Sequence, residues 1–389
     1  MADGSRVRVT FVQESTYGTT PGTPTMLRLP ITGVTLQDRL GFSPSNVIVP
    51  NRDVDDVVRL SQAGGGTIPM ELRYSPSAEG LSVSMLGLMC GASYTASAST
   101  GTCTIPGGTK TITKAAFAFA TDFAVGDVVR VSGSSVAADN GYYRVTASTT
   151  GTLTVDHPST FTAGGANVTV TRGARLLNGS TAYSYTIEVA YLDLQVAHIF
   201  RGCVINTADL AVTVGGLTTW TLGVEAQSTT RVNNTGTSDQ FIAGATYPDM
   251  TDAPTLDPIG VAEVRMTGVD YAASALNLTI SNNVRAREQI GTLGPVSMSR
   301  GQFAATGRVT AYFDNFVDHN AFAGNSLGVL WWAMLDADGK GWSFALPEVK
   351  FTDLASPTNG GNSDIFKNLT LQAFRDATEG CTVRLQRWD

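Results

Sequence analysis

Residues 276–313, LNLTISNNVRAREQIGTLGPVSMSRGQFAATGRVTAYF, read as a strand, a long polar excursion and a second strand. Leu276, Leu278 and Ile280 alternate with Asn277, Thr279 and Ser281, and Val309, Ala311 and Phe313 alternate with Arg308, Thr310 and Tyr312. That period of two belongs to strands with one dry and one wet face. Asn282, Asn283, Gly291, Gly294 and Pro295 turn the chain between them, yet the connection is longer than a hairpin needs. Connections beyond about 12 to 15 residues are usually functional or disordered, so this one is a candidate contact surface.

The same pattern extends to the whole composition. With 389 residues the chain can bury a sizeable core, enough for two or three domains. Only 15% of residues are charged while glycine numbers 41, a balance that favours turn-rich, mainly β structure over helical bundles. Cys90, Cys103, Cys203 and Cys381 stand far apart with no CxxC pair, so they read as unpaired buried thiols of a reducing compartment. The opening MADGSRVRVTF lacks the apolar core of a signal peptide, and the run Leu330–Leu335 is far too short to span a membrane. A soluble chain, cytoplasmic at synthesis and without a membrane anchor, is expected. A net charge of −7 leaves no broad basic surface to neutralise phosphates, which disfavours specific nucleic-acid binding.

In chain order, residues 1–30 are rich in Gly, Pro and Thr and form either a disordered terminus or an arm laid on a neighbour, with Tyr17, Pro21 and Pro24 as its contacts. Strands are expected at Leu27–Leu36 and Thr67–Tyr74, separated by a polar excursion, 37–66, that holds Pro50, Arg52, Asp53, Asp55, Asp56 and Gly64-Gly65-Gly66. Ser77–Gly91 reads as a helix capped by Ser75 or Ser77, with Leu81, Met85, Leu88 and Met89 on one face. From 93 to 179, short Ser/Thr/Gly-rich segments such as KTITK and GDVVRVS describe a small β-barrel or sandwich inserted in a loop. Long alternating strands resume at Tyr183–Leu194, His198–Val214 and Trp220–Ala226, before a Pro-punctuated linker at 236–258.

The second half replays the first. RMTGV at 265–269 echoes PITGV at 30–34, GRVTAY at 307–312 takes the place of PMELRY at 69–74, and a helix at Phe316–Leu335 follows as Ser77–Gly91 does. Strands at Gly341–Phe351, Phe366–Arg375 and Cys381–Trp388 close the chain. The expected parts are a first half, 1–92 with 180–235, the insert at 93–179, and a second half, 259–389.

A strand ending in Ser281-Asn282-Asn283, a charged loop, Ser299-Arg300-Gly301 and then ATGRVTAYF resembles the major tail tube protein of long-tailed bacteriophages. The run FRGCVINTADLAV from Phe200, an aromatic-x-Gly-x-x-x-Asn segment leading into a strand, is similar to that family as well. The resemblance covers 1–92 and 180–389. It implies a duplicated tail-tube β-sandwich or barrel fold with a short helix per half, plus the inserted small β domain on the tube exterior. It also implies a structural virion protein whose copies polymerise into stacked rings around a DNA channel. Single-copy relatives need six chains per ring, so a duplicated one implies a trimeric ring of pseudo-sixfold symmetry. Implied partners are further copies of the chain, tape measure and terminator proteins, and phage DNA that passes without specific binding. Contacts between subunits or rings are expected from Pro50, Arg52, Asp53, Asp55, Asp56, Asn282, Asn283, Arg285, Arg287, Glu288 and Arg300, with the arm and the tail at Arg387 and Trp388 strengthening them. Deleting 95–175 is expected to leave assembly intact.

No catalytic, metal or cofactor site is expected. His157, His198 and His319 have no second histidine at ligand spacing, Asp336–Gly341 lacks the glutamate of a calcium loop, and neither a P-loop nor a GxSxG elbow occurs. Asp53, Asp55 and Asp56 form a solvated or lumen-facing charge run. The alternatives are a carbohydrate-binding or adhesin-like surface protein, which would display aromatic clusters such as Tyr142-Tyr143 on the insert, and a hydrolase with a scattered site.

Overall fold

The computed structural model describes residues 3–48, 50–51, 53–162, 165–234, 239–251, 253–256, 260–357 and 364–389, with backbone alone at 165, 166, 261 and 262. Fourteen strands outside the insert carry the architecture. The first seven are Val7–Gln13 (β1), Gln37–Pro44 (β2), Val57–Glu71 (β3), Tyr185–Tyr191 (β4), Val196–Thr213 (β5), Thr219–Ala226 (β6) and Ser228–Asn233 (β7). The next seven are Val261–Met266 (β8), Ala273–Ser281 (β9), Ala304–Tyr312 (β10), Gly328–Leu335 (β11), Gly341–Ala355 (β12), Phe366–Phe374 (β13) and Arg384–Trp388 (β14).

Their pairing repeats with a shift of seven. β1 pairs with β4, β4 with β5, β5 with β7 and β6, β6 with β3, and β3 with β2, all antiparallel. β8 likewise pairs with β11, β11 with β12, β12 with β14 and β13, β13 with β10, and β10 with β9. Even the irregularities match: a bulge falls between Ile205 and Thr207 in β5 and between Phe351 and Asp353 in β12. Among the described residues one seam, β5 against β9, joins the two sets into one sheet.

Alternation explains why these segments are strands. Trp220, Leu222 and Val224, or Leu369, Leu371 and Ala373, point into one core that spans both sets. The long excursion 37–66 is no loop: β2 and β3 form a hairpin whose register runs from Gln37↔Gly65 to Pro44↔Val57. Its three glycines look like breakers but allow close approach. A Cβ on Gly66, which has φ 155°, would stand 2.4 Å from the Thr35 carbonyl oxygen, and one on Gly64 would meet the Phe200 ring at 3.0 Å. The strand expected at Leu27–Leu36 shrinks to Leu27–Arg28, which bonds to β1.

A helix follows the hairpin in each set. Gly80–Met89 (α1) ends at Cys90 in the left-handed region, φ 50°. Its N-cap is Glu79 without a side-chain bond, not Ser75 or Ser77; Ser75 instead accepts from the Ser82 hydroxyl through its carbonyl, 2.6 Å. The second helix is only Val317–Ala323 (α2), and Leu330–Leu335, expected to be helical, belongs to β11. Asn325, φ 51°, turns the chain, and strands on both sides with burial on both faces then favour β. Trp332 stacks on Phe344 inside, 5.2 Å between centroids, while Trp331 is buried on the other face.

The insert is a closed six-stranded barrel between Ala98 and Arg172 with its own core of Cys103, Ile112, Phe119, Val145, Leu153 and Val170. It interrupts the first strand set yet sits on the second. Val128 of the barrel packs with Trp331, Ala333, Ala345 and Trp388 on the outer face of β11, β12 and β14. The insert therefore packs as a layer on the second strand set.

Candidate assembly surfaces

Opposed residues of an antiparallel ladder lie on the same side of the sheet. Pro69, Thr221, Asp209, Thr279, Thr306, Gln372 and Lys350 thus form one row straight across β3, β6, β5, β9, β10, β13 and β12. Glu71, Thr219, Ala211, Asn277, Arg308, Thr370 and Asp353 form the next. The row between them, with Met70, Trp220, Leu210, Leu278 and Leu371, and the row on the other side of Pro69, with Ile68, Leu222, Ala208, Ile280, Ala305, Ala373 and Val349, are buried in the core. One face of a seven-strand sheet is therefore apolar throughout and the other is hydroxyl, amide and scattered charge. In these two polar rows Glu71, Asp209 and Asp353 accompany Arg308 and Lys350, so the face offers no cationic track for phosphates. Asp209 is further engaged, accepting from the Thr279 hydroxyl at 2.6 Å across the seam.

Both ends of this sheet are open. Among the described residues β2, which continues the sheet beyond β3, pairs with β3 alone, and Asp353–Ala355 pairs with β13 alone. Such edges display unpaired backbone donors and acceptors. The β2–β3 hairpin also projects from the body. Pro50, Asp53, Asp55 and Asp56 are exposed at its tip, where Asp53 accepts from Asn51 at 2.6 Å; Arg52 lies outside the described residues. Phe42, 59% exposed, and Ile48, Val54 and Leu60 make the arm apolar, which an isolated hairpin does not need. The arm after β9 folds differently, as a small ribbon of Arg285–Arg287 against Ser297–Ser299. Arg285, Arg287 and Glu288 are exposed on it, and the backbone N–H of Gln62 donates to the Leu293 carbonyl at 2.7 Å, so the loop at the end of the second arm touches the base of the first.

Other predicted contact residues are taken up within the chain. Asn282 is buried and donates to the Leu88 and Ile205 carbonyls at 2.9 and 3.0 Å, locking the second arm onto α1 and β5. Asn283, φ 47°, donates to the Gln302 carbonyl at 2.7 Å, and Arg300 donates to that of Tyr183. The N-terminal arm lies on its own half. Pro24 is buried and its carbonyl accepts from Thr246 at 2.9 Å, Met26 packs on Ile199 and Ile242, Pro21 is half-buried, and burial raises the Tyr17 hydroxyl pKa well above its usual range. Trp388 is a strand residue whose Nε1 donates to Ser343 at 3.1 Å, and Arg387 is buried and paired with Asp389 at 2.7 Å.

The joint between barrel and sheet is polar at its centre and was not singled out from sequence. Buried Asp127 accepts from Arg384 at 2.8 Å and Arg175 at 3.0 Å and lies 3.5 Å from Arg172. Glu379 joins Arg144 and, at 3.2 Å, Arg384. Burial, with Arg384 beside it, lowers the Arg144 pKa to about 10. At the rim, Arg265 is clasped by Asp156, Glu263 and Asp270, and burial lifts the Glu263 carboxyl to about 7 against the pull of Arg265. The signal available in sequence was the clustering of charge at 379–387 in a charge-poor chain.

Compared with known families, the chain matches the model described as Phage tail tube protein over residues 4–373. No curated protein matches it.

Proposed function

This chain belongs to the phage tail tube protein family, and from that premise we propose that it is the major tail tube subunit of a long-tailed phage, closing into rings that stack around a DNA channel. The observation that carries this is the sheet with one unbroken polar face and two open edges. Joined edge to edge, copies make a continuous barrel with no free edge, lined by threonine, amide and sparse charge along which DNA slides without being held.

The repeat sets the number. Each chain supplies the strand set twice, across halves bounded at 1–92 with 180–235 and at 259–389, so a ring that single-copy relatives build from six chains needs three. The linker, 236–258, connects the halves, and the insert, 93–179, faces outward, since it covers the side of the second half away from the polar rows. The exposed arms, with Pro50, Arg52, Asp53, Asp55 and Asp56 on one and Arg285, Arg287 and Glu288 on the other, reach the adjacent ring. Tape measure and terminator proteins are the further partners, in the virion and during assembly in the host cytoplasm. A structural role needs no cofactor and no catalytic group.

A carbohydrate-binding role loses its one sequence argument. Tyr143 is buried and Tyr142 packs edge-on against Trp388, centroids 5.3 Å apart, so that pair is spent on the joint. Negative-stain images of the purified chain should show rings or tubes, and native mass measurement of an isolated ring should give three copies. Six full-length chains per ring would reject the stoichiometry, and a persistent monomer that binds glycans would reject the tube.

A further inference from the structure

The seam inside the chain is a template for the seam between chains. At β5–β9, Thr207 faces Ser281, and just beyond it the backbone N–H of Asn282 donates to the carbonyl of the bulged Asn206 at 2.8 Å. The Asn282 side chain then covers the end of α1 through its bonds to Leu88 and Ile205. The matched bulges fix the equivalences. Ile205 corresponds to Phe351 and Thr207 to Asp353. Following the partners across, Gly223 corresponds to Thr370, Thr67 to Arg308, and Thr35, whose N–H donates to Thr67, to Asn277. Arg39 therefore stands where Ser281 does, and Leu40 where Asn282 does.

Among the described residues the second helix lacks the cover that α1 has. Leu81, Met85 and Leu88 of α1 are buried, whereas Phe316, Phe322 and Leu327 around α2 are exposed by 63, 40 and 53%. A cavity of about 310 Å³ opens beside them, lined by Ala321, Leu327 and Phe351 among others. The position that would cover it belongs to the free hairpin, and there the residues are apolar: Leu40 and Phe42 are exposed on the side of β2 that also carries Asp38.

We propose that β2 of one copy adds to the outer edge of β12 of the next in the register of the internal seam, with Arg39 opposite Asp353, and that Leu40 and Phe42 cover α2 and its cavity as Asn282 covers α1. The occupant is a second copy because the chain already holds one instance of this contact. The changes from that instance are complementary: an Arg–Asp pair replaces Ser–Thr, and apolar side chains meet an apolar helix where Asn282 met carbonyl groups. The proposal rests on the ring assembly above and specifies its contact.

Full-length chain carrying both Arg39→Cys and Asp353→Cys tests the register, since directly opposed strand residues lie within disulfide reach. Mild oxidation of assembled material should give species of two and three chains on non-reducing gels, absent from either single variant. The pair Thr35→Cys with Asp353→Cys, four residues out of register, should link at least ten-fold less. Tubes that form without the Arg39–Asp353 link, or that link equally out of register, overturn the contact while leaving the ring standing; no rings from the unmodified chain removes the ring itself. For the helix, Phe322→Asp alters a residue already exposed in the single chain, so its melting temperature should hold while rings are lost. Rings from Phe322→Asp at the unmodified yield overturn the cover.

Discussion

Glu263 shows how the joint between barrel and sheet responds to pH. Burial lifts its carboxyl to about 7, with Asp270 adding to the rise and Arg265 opposing it. An acid whose folded pKa exceeds its unfolded value holds more protons when folded, so stability falls as pH rises from about 4.5 through about 7. Each unit is worth about 1.4 kcal/mol, and a half-buried site discounts the total to on the order of 2 kcal/mol. Glu263→Gln should flatten the melting temperature across that window and raise it near pH 7.5; an unchanged slope would show that another group carries the dependence. Single residues were unevenly visible in sequence. Asn206 and Asn282 stood inside recognisable motifs, and both prove to hold the seam, though Asn282 does so from within. Asp127 gave no sign, because its partners Arg172, Arg175 and Arg384 come from positions up to 257 residues away.

At the scale of elements, the barrel is the part whose importance changed most. Without Ala98–Arg172, Trp331 and Trp388 would face water, at roughly 2 to 3 kcal/mol each, and Arg384 would lose Asp127, a loss of about 3 to 5 kcal/mol for a broken buried pair. A chain with that segment replaced by a short linker should therefore melt at least 10 °C lower or fail to stay soluble, as differential scanning fluorimetry would show; an unchanged melting temperature would falsify the structural role. The barrel's strands were legible because alternation and turns are local. Its docking was not, because periodicity says which face of a strand is dry but not which sheet dries it. The same limit explains α2 and β11. The run Leu330–Leu335 is apolar at every position, so period cannot separate helix from strand, and the answer lay in partners on both sides. The hairpin arm of β2 and β3 was hidden by Gly64–Gly66, which read as a break but serve close packing.

The whole molecule is one strand plan used twice, and in the proposed tube the polar face is where that plan meets the channel. The order of strand, excursion, strand and helix was legible at this scale and the pairings of both sets agree, but the match of PITGV with RMTGV joined unlike places: RMTGV runs out of β8, the counterpart of β1, whereas 30–34 lies between Leu27–Arg28 and β2. What the polar rows exclude can be tested by adding it. Thr221, Thr279 and Thr306 share a row on adjacent or near-adjacent strands, with Thr279 and Thr306 directly opposed. Changing all three to lysine leaves the buried face untouched, and surface changes of this kind usually shift stability within about 0.5 kcal/mol apiece. Three lysines per chain convert a neutral track into one that neutralises phosphates and releases counterions, whose affinity falls with salt in proportion to the contacts made. Tubes of the triple variant should retain double-stranded DNA at 50 mM salt and release it steeply by 200 mM, while unmodified tubes retain none at either. Equal retention by both would mean that these rows do not face the passage, and the polar side of the sheet would then have to lie against something other than DNA.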